Sequence, residues 1–215
     1  MSIRKRTVGW ALSGVACVAA LSLEGWAADW PQYRHDARRS GRTDEALPGS
    51  PVPHWRWRAR HPPSPAWPGH DTRMPFDQAF HPVVAAGTVY VGSSADGMIY
   101  ALDARTGRER WHACTSAPVR FAPVVADKRL FAASDDGFLY CLSTVDGRVL
   151  WKRRGGPNHE LVMGNGFCVS RWPARGGPVV LGDTVFFGAG IWPAEGVYIY
   201  ALDVATGAVR WLNRD

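Results

Sequence analysis

Cysteine is scarce in this chain, with four residues in 215. Cys17 lies in the N-terminal apolar run. The other three, Cys114, Cys141 and Cys168, are an odd number, so at least one thiol has no partner within the chain. There is no Cys-x-x-Cys-His to attach haem and no Cys/His spacing suited to zinc. Long apolar runs are also missing. The longest, Val8–Leu23, has 16 residues, short of the ~20 needed to cross a bilayer. A membrane span is therefore not expected. Concentrated positive charge is missing too. Beyond the N-terminus the one basic cluster is Lys152-Arg153-Arg154, which gives nucleic-acid binding little footing. No set of Ser, His, Cys, Asp or Glu has the spacing of a catalytic or metal-binding group.

What is present begins with Arg4, Lys5 and Arg6, then the apolar run, then Glu24-Gly25-Trp26-Ala27-Ala28. A basic start, an apolar middle and a small-residue end form a secretory signal peptide. Cleavage after Ala27 puts small residues, Gly25 and Ala27, at the two recognised positions; cleavage after Ala28 would place bulky Trp26 there. Residues 1–27 are thus read as a signal peptide, and the protein as exported, periplasmic or extracellular. Cys17 sits mid-run with Gly14 before it, unlike a lipid-attachment cysteine. The net charge of +6 loses three positives and one negative with the leader, leaving a mild +4. The composition, 46% hydrophobic and 20% charged, is that of an ordinary globular chain.

Residues 28–80 read as an N-terminal arm and outer strand. Asp29-Trp30-Pro31-Gln32-Tyr33-Arg34-His35-Asp36 and the polar run after it suggest an irregular, surface-hugging arm. In His54-Trp55-Arg56-Trp57-Arg58 the alternation of Trp and Arg predicts one edge strand. Pro62, Pro63, Pro65, Pro68 and Pro75 exclude regular structure over 61–80.

From His81 the chain repeats itself. Gly97–Trp111 reads GMIYALDARTGRERW, Gly137–Trp151 reads GFLYCLSTVDGRVLW and Gly196–Trp211 reads GVYIYALDVATGAVRW. Each copy is preceded by a Pro-Val-Val run and a second apolar run. Four short apolar runs per ~40 residues, broken by Gly or Asp turns, are the signature of a β-propeller blade. The blades are placed at 81–113, 120–153 and 177–213 within 81–215, with an insertion at 152–177. Gly107, Gly147 and Gly207 supply the left-handed conformation at the turn between the third and fourth strands. Asp103 and Asp203 can accept from backbone N–H groups of that turn, with Ser143 a weaker version.

Ala-Leu-Asp-x-x-Thr-Gly-x-x-x-Trp, at Ala101–Trp111 and Ala201–Trp211, resembles the tryptophan-docking motif of pyrroloquinoline-quinone-type repeats. Cys141–Trp151 keeps Leu142, Gly147 and Trp151 and replaces the rest. The opening Asp-Trp-Pro-x-x-Arg-x-Asp is similar to the start of secreted quinoprotein-like propellers. The resemblance implies an all-β fold, a partial β-propeller of three four-stranded blades plus an N-terminal extra strand, a fragment of a seven- or eight-bladed ring. It implies that Trp111, Trp151 and Trp211 pack between blades, against Ala101, Ala201 and the glycines Gly107, Gly147 and Gly207. It also implies pyrroloquinoline quinone and calcium as cofactors of the enzymes in the family, where adjacent cysteines are common. This chain has no adjacent cysteine pair. Glu160, Asn165 and Glu195 suit calcium by type, but no spacing singles them out.

In a four-stranded blade, the loop between the second and third strands and the connection to the next blade lie on one face. Lys152–Gly177, Gly188–Glu195 and residues 61–80 therefore converge, and insertions of this kind commonly carry binding. Asn165, Arg171, Trp172, Arg175, Trp192 and Glu195 are the candidate ligand-binding residues, since Arg supplies forked donors and Trp a stacking surface. The competing reading is that the Trp-Pro pairs only pin long loops. The function expected is an exported ligand- or protein-binding module. A quinone- and calcium-dependent dehydrogenase of alcohols or sugars is the alternative, and an envelope assembly scaffold the second. The partners expected are the remaining propeller blades, in the same longer chain or another copy, and a protein partner.

Overall fold

The computed structural model describes residues 28–46, 49–66, 79–164 and 166–214. The leader anticipated at 1–27 lies outside the described residues, as does Asn165. The first blade comprises β1 (Val83–Ala85), β2 (Thr88–Gly92), β3 (Met98–Asp103) and β4 (Glu109–Cys114). The second comprises β5 (Val124–Ala126), β6 (Arg129–Ala133), β7 (Phe138–Ser143) and β8 (Val149–Arg154). A hairpin follows, β9 (Leu161–Gly164) with β10 (Phe167–Ser170). The third blade comprises β11 (Val179–Leu181), β12 (Thr184–Ala189), β13 (Tyr198–Asp203) and β14 (Val209–Asn213). Each blade is one antiparallel sheet with its strands in chain order. The chain is an all-β partial propeller.

Burial explains the pattern of each run. The third strands β3 and β7 are buried at four successive positions, because both faces of each are covered, β7 by the first and third blades and β3 by the second blade and the Trp55–Trp57 segment. The blades stack on apolar layers. Ile99, Ala101 and Trp111 meet Leu130, Ala132, Tyr140 and Leu142. Phe131, Leu139 and Cys141 meet Val185, Phe187, Tyr200 and Leu202. Each fully buried large side chain contributes about 1.5–3 kcal/mol.

The turns between third and fourth strands follow the sequence closely. Asp103 Oδ1 accepts from the Arg105 and Thr106 amides at 3.1 and 2.8 Å and from the Thr106 hydroxyl at 2.9 Å. Asp203 repeats this with Ala205 and Thr206. Ser143 makes one such bond, to Val145, at 3.2 Å.

The N-terminal arm is irregular and lies on the surface, with none of residues 28–46 buried, and it crosses the inner strands of all three blades in order. Trp30 exchanges backbone hydrogen bonds with Val84 at 2.7 and 2.9 Å, and the Pro31 carbonyl accepts from the Val125 amide at 2.9 Å. Gln32 reaches Val180. The physical reason is that inner-strand edges carry unpaired N–H and C=O groups, and the arm satisfies them. Residues 54–58, the extra strand anticipated, join no sheet among the described residues, since no third strand lies beside them there. Their position is nevertheless that of an outer strand. The Trp55 indole N–H donates to the Ala104 carbonyl at 2.9 Å, as Trp111 does to Thr144 at 3.0 Å and Trp151 to Val204 at 3.3 Å.

Candidate functional site

The hairpin β9–β10 is built from two short apolar runs around Gly164-Asn165-Gly166, and an Asn-Gly pair is a strong hairpin-turn signal. It stands beside the connection into the third blade. Together with the loop after β12 and Ala66 of the N-terminal arm, it walls a cleft of about 520 Å³. Arg171, Arg175, Trp192 and Glu195 all line this cleft. Its remaining walls are largely apolar, among them Val162, Met163, Val169, Pro173 and Ile191.

Trp172 does not line it. This residue is buried at 6% exposure, and its indole N–H donates to the Glu195 carbonyl at 2.6 Å. Its ring lies so near Gly156 that an added Cβ there would stand 2.9 Å from the Trp172 Cε3. Trp172 thus pins the inserted connection to the loop that carries Glu195. Arg171 reinforces the pin, with Nε donating to Glu195 Oε1 at 3.0 Å and Nη1 to Glu160 Oε1 at 2.7 Å. Glu160, and after it Glu195, push the Arg171 pKa above its ordinary value.

Arg175 is held differently. Its Nε and Nη2 form a fork on the two oxygens of Asp135, both at 2.9 Å. Asp135 also accepts from Arg120 Nε at 2.6 Å, and Arg120 Nη1 donates to the Ser64 carbonyl at 2.6 Å. The Arg120 and Asp135 side chains are each 1% exposed. This buried Arg–Asp–Arg cluster ties the second blade to both the arm and the insertion. Sequence reasoning missed Arg120 and Asp135. The available signals were the doubled Asp135-Asp136 before Gly137, where the first blade has Asp96 alone, and a lone Arg in the apolar run Pro118–Ala122.

The cleft's arginines are therefore already held by carboxylates before any ligand arrives, Arg171 by Glu160 and Glu195 and Arg175 by Asp135, which it shares with Arg120. What stays available is apolar. On the hairpin, Leu161 is 58% exposed and Met163 76%, and Trp192 across the cleft is 54% exposed. The arrangement suits apolar side chains more than an anion. Among the described residues no group of three or more His, Cys, Asp or Glu could hold a metal ion. Glu160 and Glu195 each give an oxygen to Arg171. These residues do not fit calcium, and the paired arginines do not fit an acidic quinone. Cys141 is buried and its thiol is pushed up to about 12 by that burial, so it is no nucleophile. Cys114, Cys141 and Cys168 are all free thiols.

The glycine turns hold the tryptophans apart from this cleft. An added Cβ at Gly147 would lie 2.5 Å from the Trp111 ring, and one at Gly207 would lie 2.7 Å from Trp151. Both glycines have positive φ, 73° and 68°, so close approach and backbone conformation each require glycine. Trp211 has the same place in its blade but is 51% exposed.

Stacked four-stranded blades carrying these repeats define a β-propeller of the pyrroloquinoline-quinone-repeat class. A family profile described as outer membrane protein assembly factor BamB matches residues 54–213, and the chain belongs to that family. It is 33% identical over 138 residues to a serine/threonine-protein kinase AfsK of Streptomyces griseus, covering 60% of this chain and 15% of the kinase. It is 31% identical over 91 residues to an outer membrane protein assembly factor BamB of Kangiella koreensis, covering 37% of this chain and 24% of that protein. The chain thus spans less than a quarter of the length of either relative. Among solved structures, the quinohemoprotein alcohol dehydrogenase of Comamonas testosteroni aligns with a TM-score of 0.51 at 23% identity, over 62% of this chain and 20% of that one. That likeness concerns the fold. Among the described residues no helix is long and apolar enough to cross a membrane.

Proposed function

We propose that this chain is an exported, envelope-associated propeller module that binds a protein segment in the cleft between the β9–β10 hairpin and the Pro193–Glu195 loop. The observation that carries this reading is the pairing of exposed apolar residues of the cleft, Met163 and Trp192, with arginines already held by Glu160, Glu195 and Asp135. A two-stranded hairpin alone is only marginally stable in water, so one with apolar residues exposed gains from being covered. Clusters of this kind that include a Trp are where binding energy concentrates.

The family supports the same reading, since its description names an assembly factor. A matching relative named a kinase indicates that such repeats serve as modules beside other activities. Protein partners of the envelope fit this site better than a sugar or alcohol does, because the cleft offers no nucleophile beside a base and no metal-ligand set among the described residues. The test is photo-crosslinking from position 163 or 192 in envelope extracts, with position 145 on the opposite face as control. Partner adducts at the cleft positions alone are expected. Equal adducts at all three positions, or dye-linked turnover of alcohols once quinone and calcium are added, would overturn the reading.

A further inference from the structure

Residues 54–60 alternate in burial. Trp55, Trp57 and Ala59 are half-buried, whereas His54, Arg56, Arg58 and Arg60 are exposed. A period of two belongs to an extended chain with opposite faces. The inner face is occupied. The Trp55 indole N–H donates to the Ala104 carbonyl at 2.9 Å, and the Trp57 ring lies 5.2 Å from Tyr100. The outer face is a row of three arginines whose backbone positions repeat every ~6.6 Å, twice the rise of a strand residue. In the sequence the intervening Trp and Ala break up this charge; the extended chain gathers it on one side.

On the outer strands of the first and third blades, by contrast, arginines are held by carboxylates. Arg110 sits on Asp103 at 2.6 Å, and Arg210 on Asp183 and Asp203 at 2.7 and 2.6 Å. Arg56, Arg58 and Arg60 make no hydrogen bond or ion pair among the described residues. The carboxylates of the first blade that face this segment are engaged elsewhere. Asp96, within electrostatic reach of His61, accepts from the Tyr100 hydroxyl at 2.8 Å and the Met98 amide at 3.1 Å. Glu109 pairs with His112 at 2.6 Å. The row is thus a cationic surface whose counter-charge the described residues do not supply. It borders an open groove of about 490 Å³, lined by Arg56, Trp57, Arg58, Arg60 and Phe80 among others.

We propose that this groove binds a linear acidic polysaccharide, one that carries a carboxylate on successive sugar units. Arg56, Arg58 and Arg60 grip the carboxylates through their forked donors. Trp57 and Phe80 offer apolar surface to the C–H faces of the sugars between them. A bilayer fits less well, because the rings between the arginines turn inward onto Tyr100 and Ala104 and none stands out to enter lipid. Single-stranded nucleic acid fits less well too, since its bases need open stacking platforms and Trp57 is half-buried against Tyr100. The groove shares no lining residue with the cleft beside the β9–β10 hairpin, so the two readings stand or fall separately.

The test is isothermal titration calorimetry of the 215-residue protein with a galacturonate hexamer at low salt. The methyl ester of the same hexamer, an oligothymidylate and phosphatidylglycerol vesicles are titrated beside it. The acid hexamer is expected to bind saturably and to weaken as salt is raised, and the ester, which lacks the charge, is expected not to bind. Arg56→Gln together with Arg58→Gln should lower the affinity roughly tenfold, because two charge-assisted forks are lost. Lys152→Gln together with Arg154→Gln removes the same charge from the outer strand of the second blade and should change it less than about twofold. Neither pair lies in the core, and unchanged thermal melts show that both variants fold.

Failure of the acid hexamer to bind overturns the proposal. An equal loss in both substituted pairs overturns it as well, since net charge alone would then account for binding. Tighter binding of the oligothymidylate or the vesicles, lost with Arg56 and Arg58, would assign the row to a nucleic acid or a membrane surface instead.

Discussion

The side chain of Gln32 pairs with the backbone of Val180 as a strand residue would. Its Nε2 donates to the Val180 carbonyl at 3.1 Å, and its Oε1 accepts from the Val180 amide at 3.0 Å. With Trp30 on Val84 and Pro31 on Val125, three consecutive residues serve three blades. The arm is a hub strap that closes the inner edges of the stack. Replacing Gln32 by Leu leaves both groups of Val180 without that partner, at an expected cost of about 1–3 kcal/mol. Urea unfolding followed by tryptophan fluorescence measures it. A loss below about 0.5 kcal/mol would mean that water satisfies the inner strand equally well.

This strap shows where the sequence was opaque. Blade strands were legible because their apolar periodicity and turn glycines are local signals. The Trp30–Gln32 contacts are not local, since they pair residues 54 to 148 positions apart through backbone groups that every residue carries. The same holds for Arg120 and Asp135, whose cluster with Arg175 exists only once two blades and an insertion have met. Within the candidate site, Arg171, Arg175, Trp192 and Glu195 were found because insertions interrupt a repeat visibly. The inward turn of Trp172 was not, because a Trp-Pro pair reads alike whether it anchors a loop or presents a surface.

The Asp135 cluster gives a sharp contrast between two arginine sites. Asp135→Asn removes the charge that serves two guanidinium groups, one of them buried with it at 1% exposure. Breaking a buried pair in this way costs about 3–5 kcal/mol. Arg171→Ala breaks two contacts that are partly exposed and screened, and should leave the melting temperature close to that of the parent. Thermal melts of the two variants would separate them. Similar losses for both would show that Arg171 holds the insertion more firmly than its exposure suggests.

The tryptophans should likewise divide by cover. Trp111 is buried at 9% exposure between the first and second blades, and Trp111→Ala is expected to cost about 3–5 kcal/mol. Trp211, which is half exposed, should tolerate the same change within about 1 kcal/mol. Chemical denaturation midpoints read this directly. A large loss at Trp211 in the protein alone would place a cover on it that the exposure does not show.

Thiol chemistry tests the blade interface. Cys114 and Cys168 are exposed and Cys141 is buried, with its thiol pushed up to about 12 by burial. A maleimide at pH 7.5 should label the first two within minutes and leave Cys141 untouched until denaturant is added. The folded state holds Cys141 as the neutral thiol, whereas the unfolded chain ionises it near its ordinary value of 9.0. Its contribution to stability is therefore intact below about pH 9 and declines as pH rises toward 12. Residue-resolved mass spectrometry follows the labelling. Early modification of Cys141 would show that the second and third blades separate.

Acid should act through the third blade's turn. Asp203 is lowered to about 2, first by the Arg210 guanidinium at 2.6 Å and then by the Thr206 hydroxyl and amide. Its ordinary value is 3.8. The folded value lies below the unfolded one, so the ionised pair stabilises the fold above about pH 4, and that contribution is lost as pH falls toward 2. Asp203→Asn keeps an oxygen for Thr206 and removes only the charge. Its melting temperature should lie below that of the parent by a constant, modest amount from pH 7 to about 4, because the pair is exposed and screened. The two curves should then converge between pH 4 and 2. A gap that persists at pH 2.5 would assign the effect to the shape of the turn, and the charge of Asp203 would have no part in it.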